Sequence, residues 1–194
     1  MNDRAAHNFV ADVSTAQSLL AELCAPFAPN GFVAECEVIS PDAIPVPADA
    51  LLVHQNHMTI ALERHHGKPV QVNVQQERLD GETYTRKVGL TLLGTPRVVE
   101  WGIARLHLKY LSSEVRAEIL LKQTPLGAIL IRHNVHRRVK PRYFVRFPAG
   151  SRVIELFGAG SNATPIYGRL GMIYCNDEPA IELLEIVVNT EVQG

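Results

Sequence analysis

The spacing of apolar residues along the chain indicates amphipathic helices in two regions. In residues 12–27 (DVSTAQSLLAELCAPF) apolar side chains recur at intervals of three and four, which predicts a helix after an Asp/Ser start. Residues 112–122 (SSEVRAEILLK) and 123–134 (QTPLGAILIRHN) have the same period, and each carries a hydroxyl residue near its start that can cap a helix. The proline-rich segment 41–47 interrupts the pattern, and residues 48–58 can form a short helix after it.

The remaining segments alternate between apolar and polar residues, which is typical of β-strands. Residues 58–64 (MTIALER) and 69–79 (PVQVNVQQERL) flank the turn HHGK, so we predict a hairpin over residues 58–79. Two more hairpins are predicted across the turns GTP and NDEP. Their strands, together with one further strand, lie at residues 83–93, 97–111, 166–175, 180–188 and 137–147.

Hairpins on either side of a central pair of helices predict the fold class α+β. We expect an antiparallel β-sheet of about six strands with helices packed on one side. At 194 residues the chain is most simply a single domain, because that length buries a core without disulfides or metals.

Composition and charge narrow the classes of partner. The chain is 46% hydrophobic and 20% charged with a net charge of −1, which gives no electrostatic basis for binding nucleic acid or an anionic membrane. Cys24, Cys36 and Cys175 are widely spaced and form no CxxC pair, which argues against a disulfide framework and fits a reducing cytoplasm. No run of about 18 apolar residues occurs, and the first ten residues contain no signal-peptide core. We therefore expect a cytoplasmic protein without membrane insertion.

Half of the eight histidines lie within thirteen positions, at His54, His57, His65 and His66. Zinc requires three or four convergent ligands, whereas adjacent residues such as His65 and His66 point to opposite sides of an extended chain. No HExxH motif, cysteine or acidic cluster accompanies them. We expect no metal, with His65 and His66 facing solvent at a turn and His57 able to border a ligand pocket.

Three of the charged residues inside predicted strands are candidates for a ligand site. Arg86 and Arg105 either face solvent or recognise a carboxylate in a partly buried pocket. Glu185 shares its strand face with Leu183 and Val187, so it is either paired with a strand arginine or acts as an acid or base. Together the three residues suggest a pocket for a small carboxylated ligand.

Two turns could be either structural or part of an anion-binding site. The TPLG turn at 124–127 is either a structural helix start or an anion site formed by exposed N–H groups. The loop GAGSNAT at 158–164 does not match a phosphate loop, because no Lys-Ser/Thr pair follows it. We expect this loop to be a flexible lid or connector.

Six short motifs follow one another in a characteristic order along residues 47–188. They are NHMTIALERHHGKPVQV, YTRKVGL, IAR, TPLGAILI, IYGRL and PAIELLEIV. In order, spacing and context this set resembles the chorismate pyruvate-lyase family, whose broader relatives are the UTRA-like effector-binding domains of GntR-type regulators. The resemblance implies one chorismate lyase-like domain, with residues 1–46 as an N-terminal helical extension and residues 47–188 as its core.

The resemblance also implies a carbon–oxygen lyase that converts chorismate to 4-hydroxybenzoate and pyruvate without metal or cofactor. Such an enzyme supplies a precursor of ubiquinone or of secondary metabolites and can work as a monomer or weak dimer. Two alternatives share the fold. One is a non-catalytic effector-sensing domain that binds a small aromatic or carboxylate ligand, and the other is a diverged lyase with another substrate.

The residue roles implied by the resemblance centre on two side chains. Arg86 would pair with the aromatic carboxylate, and Glu185 would lie near the ring hydroxyl. Met58 and Leu126 would hold the ligand carboxylate through their backbone N–H groups, with Arg105 as a second cation near the pocket or its entrance. The full predicted set has Arg86 and Glu185 as catalytic residues, and as substrate-binding residues Met58, Thr59, Arg105, Leu126 and Gly127.

Overall fold

The structure, a computed structural model, describes residues 13–158 and 163–188. The prediction that residues 1–10 contain no signal-peptide core falls outside the described residues. The prediction of a lid or connector at 158–164 falls largely outside them as well. The helices are α1 (Val13–Cys24), α2 (Ala48–Leu52), α3 (Met58–His66), α4 (Ser113–Leu121), α5 (Leu126–Arg132) and α6 (Arg152–Glu155). The strands are β1 (Glu37–Ile39), β2 (Val70–Asp80), β3 (Thr83–Leu92), β4 (Val98–His107), β5 (Arg137–Phe147), β6 (Ile166–Cys175) and β7 (Glu178–Val187).

The seven strands form one antiparallel sheet in the order β1-β5-β6-β7-β4-β3-β2. The predicted α+β class, with an antiparallel sheet and helices on one side, is confirmed, and β1, just before the proline-rich segment, is the strand that the sequence pattern did not predict. Helices α2 to α5 lie on that side, whereas α1 of the N-terminal extension packs on the opposite face. None of the helices within 13–158 and 163–188 has the length and apolar character needed to cross a membrane.

Alternation along β7 shows how the two faces divide. Leu184 and Ile186 belong to the buried cluster that contains the inner side chains of α1. Ile181 and Leu183 belong to the cluster formed with α4 and α5. Because successive side chains of a strand point to opposite faces, the central strands bury apolar residues on both sides of the sheet.

The hairpin predicted over residues 58–79 is wrong in its first half, because residues 58–66 form helix α3. Met58 and Leu62 are buried four positions apart, which is the spacing of one helical face. Gly67 ends the helix in the left-handed conformation, with φ of 63°. Strand β2 pairs instead with β3, so the first hairpin of the sheet is β2–β3.

Gly168 of β6 permits a close approach to β7. A Cβ at this position would lie 2.7 Å from the backbone oxygen of Glu185, whereas a Cβ at Gly89 of β3 would meet its nearest atom at 3.6 Å. We expect Gly168→Ala to lower the free energy of unfolding by about 1–3 kcal/mol, since the strands must separate to admit the methyl group. Urea denaturation measures the change, with Gly89→Ala as the strand-glycine control. Equal stability of the two variants would contradict this close packing.

Candidate functional site

A cavity of about 520 Å³, including its open mouth, lies between the sheet and the first residues of α3 and α5. Apolar side chains such as Val88, Leu90 and Leu183 form much of its wall. The cavity therefore suits a small ligand with an apolar body.

Six of the seven predicted site residues line this cavity. They are Met58, Thr59, Arg86, Leu126, Gly127 and Glu185. Met58 and Leu126 are the first residues of α3 and α5, where backbone N–H groups have no acceptor within the helix. The structure thus brings together residues that are up to 127 positions apart in the chain, although their individual roles remain predictions.

Arg86 is the cation of the cavity wall. Only 2% of the residue is exposed, and Nε and Nη1 have no hydrogen-bond partner among the described residues. Burial lowers the pKa of Arg86, but a guanidinium stays protonated in proteins. The solvent-facing alternative is therefore excluded, and a buried positive charge is left with two unused donors.

Glu185 forms a buried ion pair with Arg169 of β6. Arg169 Nε donates to Glu185 Oε2 at 2.5 Å, and the two residues face each other in the β6–β7 register. The guanidinium also donates to the backbone oxygens of Leu52 at 3.0 Å, His54 at 2.9 Å and Asn56 at 3.3 Å. Arg169 thereby fixes the segment between α2 and α3, which leads into the cavity wall. Sequence analysis allowed for an arginine partner of Glu185 but did not identify this one.

Helices α3 and α5 meet at the cavity through His57 and Gly127. A Cβ at Gly127 would lie 2.9 Å from the Cβ of His57, so only glycine allows this contact. Arg137 Nε donates to His57 Nε2 at 2.7 Å, and burial followed by the charge of Arg137 lowers the pKa of His57 to about 4. His57 is therefore neutral near pH 7. No cluster of three or more His, Cys, Asp or Glu side chains in the described parts of the chain is placed to hold a metal ion.

Glu100 of β4 is a second buried carboxyl group at the cavity, and sequence analysis missed it. The residue is 4% exposed, and its Oε2 atom has no hydrogen-bond partner within the described ranges. Burial raises the pKa of Glu100 well above its ordinary value, and the negative charge of Glu185 raises it further. The available signal was that Glu100 alternates with Gly102 and Ala104, whose small side chains leave space on one strand face.

Arg105 does not line the cavity, which corrects its predicted placement as a second cation there. It lies on the face of β4 that α1 covers, and it donates to Glu182 and to Glu22 of α1. The hydrogen bond to Glu182 raises the pKa of Arg105. The arrangement is that of a structural ion pair between α1 and the sheet.

No protein-family model and no curated protein matches this chain. Among solved structures, the effector domain of PhnF from Mycobacterium smegmatis has 13% identity and a TM-score of 0.50, and the match covers 71% of this chain and 91% of that domain. The ligand-binding domain of a protein assigned to the GntR family of transcriptional regulators, from Bordetella bronchiseptica, has 14% identity and a TM-score of 0.42, covering 62% and 83% of the two chains. YydK from Bacillus subtilis has 11% identity and a TM-score of 0.44 over 64% of this chain, which spans 60% of the length of YydK.

The comparison with the effector domain of PhnF corrects the prediction of a carbon–oxygen lyase. The solved structure matched at a TM-score of 0.50 is an effector domain. The chain has the α+β fold of the effector domain of PhnF.

Proposed function

We propose that this chain is a non-catalytic, effector-sensing domain that binds a small organic carboxylate in the cavity between the sheet and helices α3 and α5. The observation that carries the proposal is the buried guanidinium of Arg86, which has two donors without a partner among the described residues. The fold shared with the effector domain of PhnF supports a sensing role.

An unpaired cation in an apolar wall is unfavourable until an anion binds beside it. A carboxylate would supply the missing acceptor through charge-assisted hydrogen bonds to Arg86. Met58 and Leu126 would contact the same ligand from α3 and α5, as their positions at the cavity allow. The flexible thioether of Met58 would adapt to the ligand body, aromatic or aliphatic.

Calorimetric titration with benzoate and with small aliphatic carboxylates tests the proposal. We expect Arg86→Met to weaken carboxylate binding by about 30-fold or more, since truncating one partner of a buried charge pair costs 2 kcal/mol or more. Arg105→Met is the matched control, because it removes an arginine of similar strand position outside the cavity.

Two outcomes would contradict the proposed function. In the first, no small carboxylate binds to the wild-type protein at millimolar concentration. In the second, Arg86→Met and Arg105→Met bind the carboxylate equally well, which would place the binding site away from Arg86.

A further inference from the structure

Arg86 and Glu100 lie on neighbouring strands of the cavity wall. In the β3–β4 register Arg86 faces Ala104, whereas Glu100 faces Leu90, four residues further along β3. At about 3.3 Å per residue this separation is about 13 Å between backbone positions. The carboxyl group of Glu100 extends back over Gly102, since a Cβ at Gly102 would lie 3.2 Å from Glu100 Oε1. Val88, which pairs with Gly102, provides an apolar surface between this carboxyl group and Arg86.

Glu100 is the cavity carboxyl group without a cation of its own. The charge of Arg169 on β6 partly opposes the rise in the pKa of Glu100, but the hydrogen bonds of Arg169 go to Glu185 and to backbone oxygens. The backbone of Arg86 is four residues along β3 from the partner of Glu100. Glu185 on β7 is the other charged neighbour of Glu100, and its carboxylate would repel a negative charge on Glu100. An un-ionised carboxyl group avoids this repulsion and carries one O–H donor.

We propose that Glu100 is the second recognition group of the cavity, an un-ionised acid that hydrogen-bonds to a neutral oxygen of the ligand. The site then selects small monoanions that carry a hydroxyl or carbonyl oxygen at a distance from their carboxylate. This inference rests on the proposed function and adds the chemical class of the ligand to it.

The same arrangement disfavours dianions. A ligand with a carboxylate at each end would place its second charge beside Glu100 and the Arg169–Glu185 pair, where the described residues offer no free cation. Transfer of that charge from water would go uncompensated. Selectivity for one negative charge therefore follows from the wall of the cavity.

Binding of benzoate, of the three hydroxybenzoate isomers and of terephthalate to the intact chain tests the inference. We expect the wild-type protein to bind at least one hydroxybenzoate about ten-fold more tightly than benzoate, and terephthalate more weakly than benzoate. Glu100→Leu removes the donor and should abolish the preference for the hydroxyl group. Glu100→Gln keeps a donor in a side chain of the same shape and should retain that preference.

The outcomes separate this inference from the proposed function. If benzoate binds through Arg86 but Glu100→Leu leaves the hydroxyl preference unchanged, the role of Glu100 is overturned and the proposed function stands. A marked gain in benzoate affinity in Glu100→Gln would mean that Glu100 is ionised, which also overturns the inference. If none of the five acids binds to the wild-type protein, both proposals fail together.

Discussion

Replacing Arg169 with methionine is expected to lower the free energy of unfolding by about 3–5 kcal/mol. The substitution leaves Glu185 as a buried carboxylate without its partner, and it removes the donor to the backbone oxygens of Leu52, His54 and Asn56. Both losses act in the interior, where a polar group without a partner is most unfavourable. Urea denaturation followed by circular dichroism measures the change.

Two further variants test whether the stability lost in Arg169→Met comes from the buried Arg169–Glu185 pair. Arg105→Met removes an arginine whose side chain is 21% exposed, and solvent screening limits the expected change to about 1 kcal/mol. The double variant Arg169→Met, Glu185→Leu should recover part of the lost stability, because no buried charge is left without a partner. If Arg169→Met and Arg105→Met were equally stable, Arg169 would not hold the segment between α2 and α3 in solution.

The helix α3 shows where sequence patterns reach their limit. Its sequence MTIALERHH contains β-branched residues and a local alternation, and both features favoured a strand. The buried positions Met58 and Leu62 also fit a helix, and the left-handed Gly67 ends it. A segment of nine residues satisfies both periods, so packing against the sheet and α5 decides between them.

Some residues of the candidate site could be identified from the sequence, and others could not. Arg86 and Glu185 could be singled out because a charge in an apolar strand is rare and depends on neighbouring residues. Arg169 could not be paired with Glu185 in advance, since the pairing depends on the register between β6 and β7. The lyase prediction failed for another reason: the ordered motifs describe a fold, and one fold hosts catalytic and non-catalytic sites.

Arg86→Met is expected to raise the free energy of unfolding of the ligand-free protein by about 1–4 kcal/mol. The guanidinium is buried with two donors unused among the described residues, whereas methionine fills a similar volume with apolar atoms. The variant that loses carboxylate binding should therefore be the more stable one. This opposition is typical of residues that are kept for function at the expense of stability.

Urea denaturation with and without benzoate provides the measurement and its internal control. Benzoate should stabilise the wild-type protein by RT ln(1 + [L]/Kd) and leave Arg86→Met unchanged, so the two stabilities converge as the ligand concentration rises. Arg105→Met should respond to benzoate as the wild-type protein does, because its side chain lies on the face covered by α1. A ligand-free Arg86→Met that is less stable than the wild-type protein would show that Arg86 contributes to folding. Its burial would then be structural, and the case for an anion site at this position would fall.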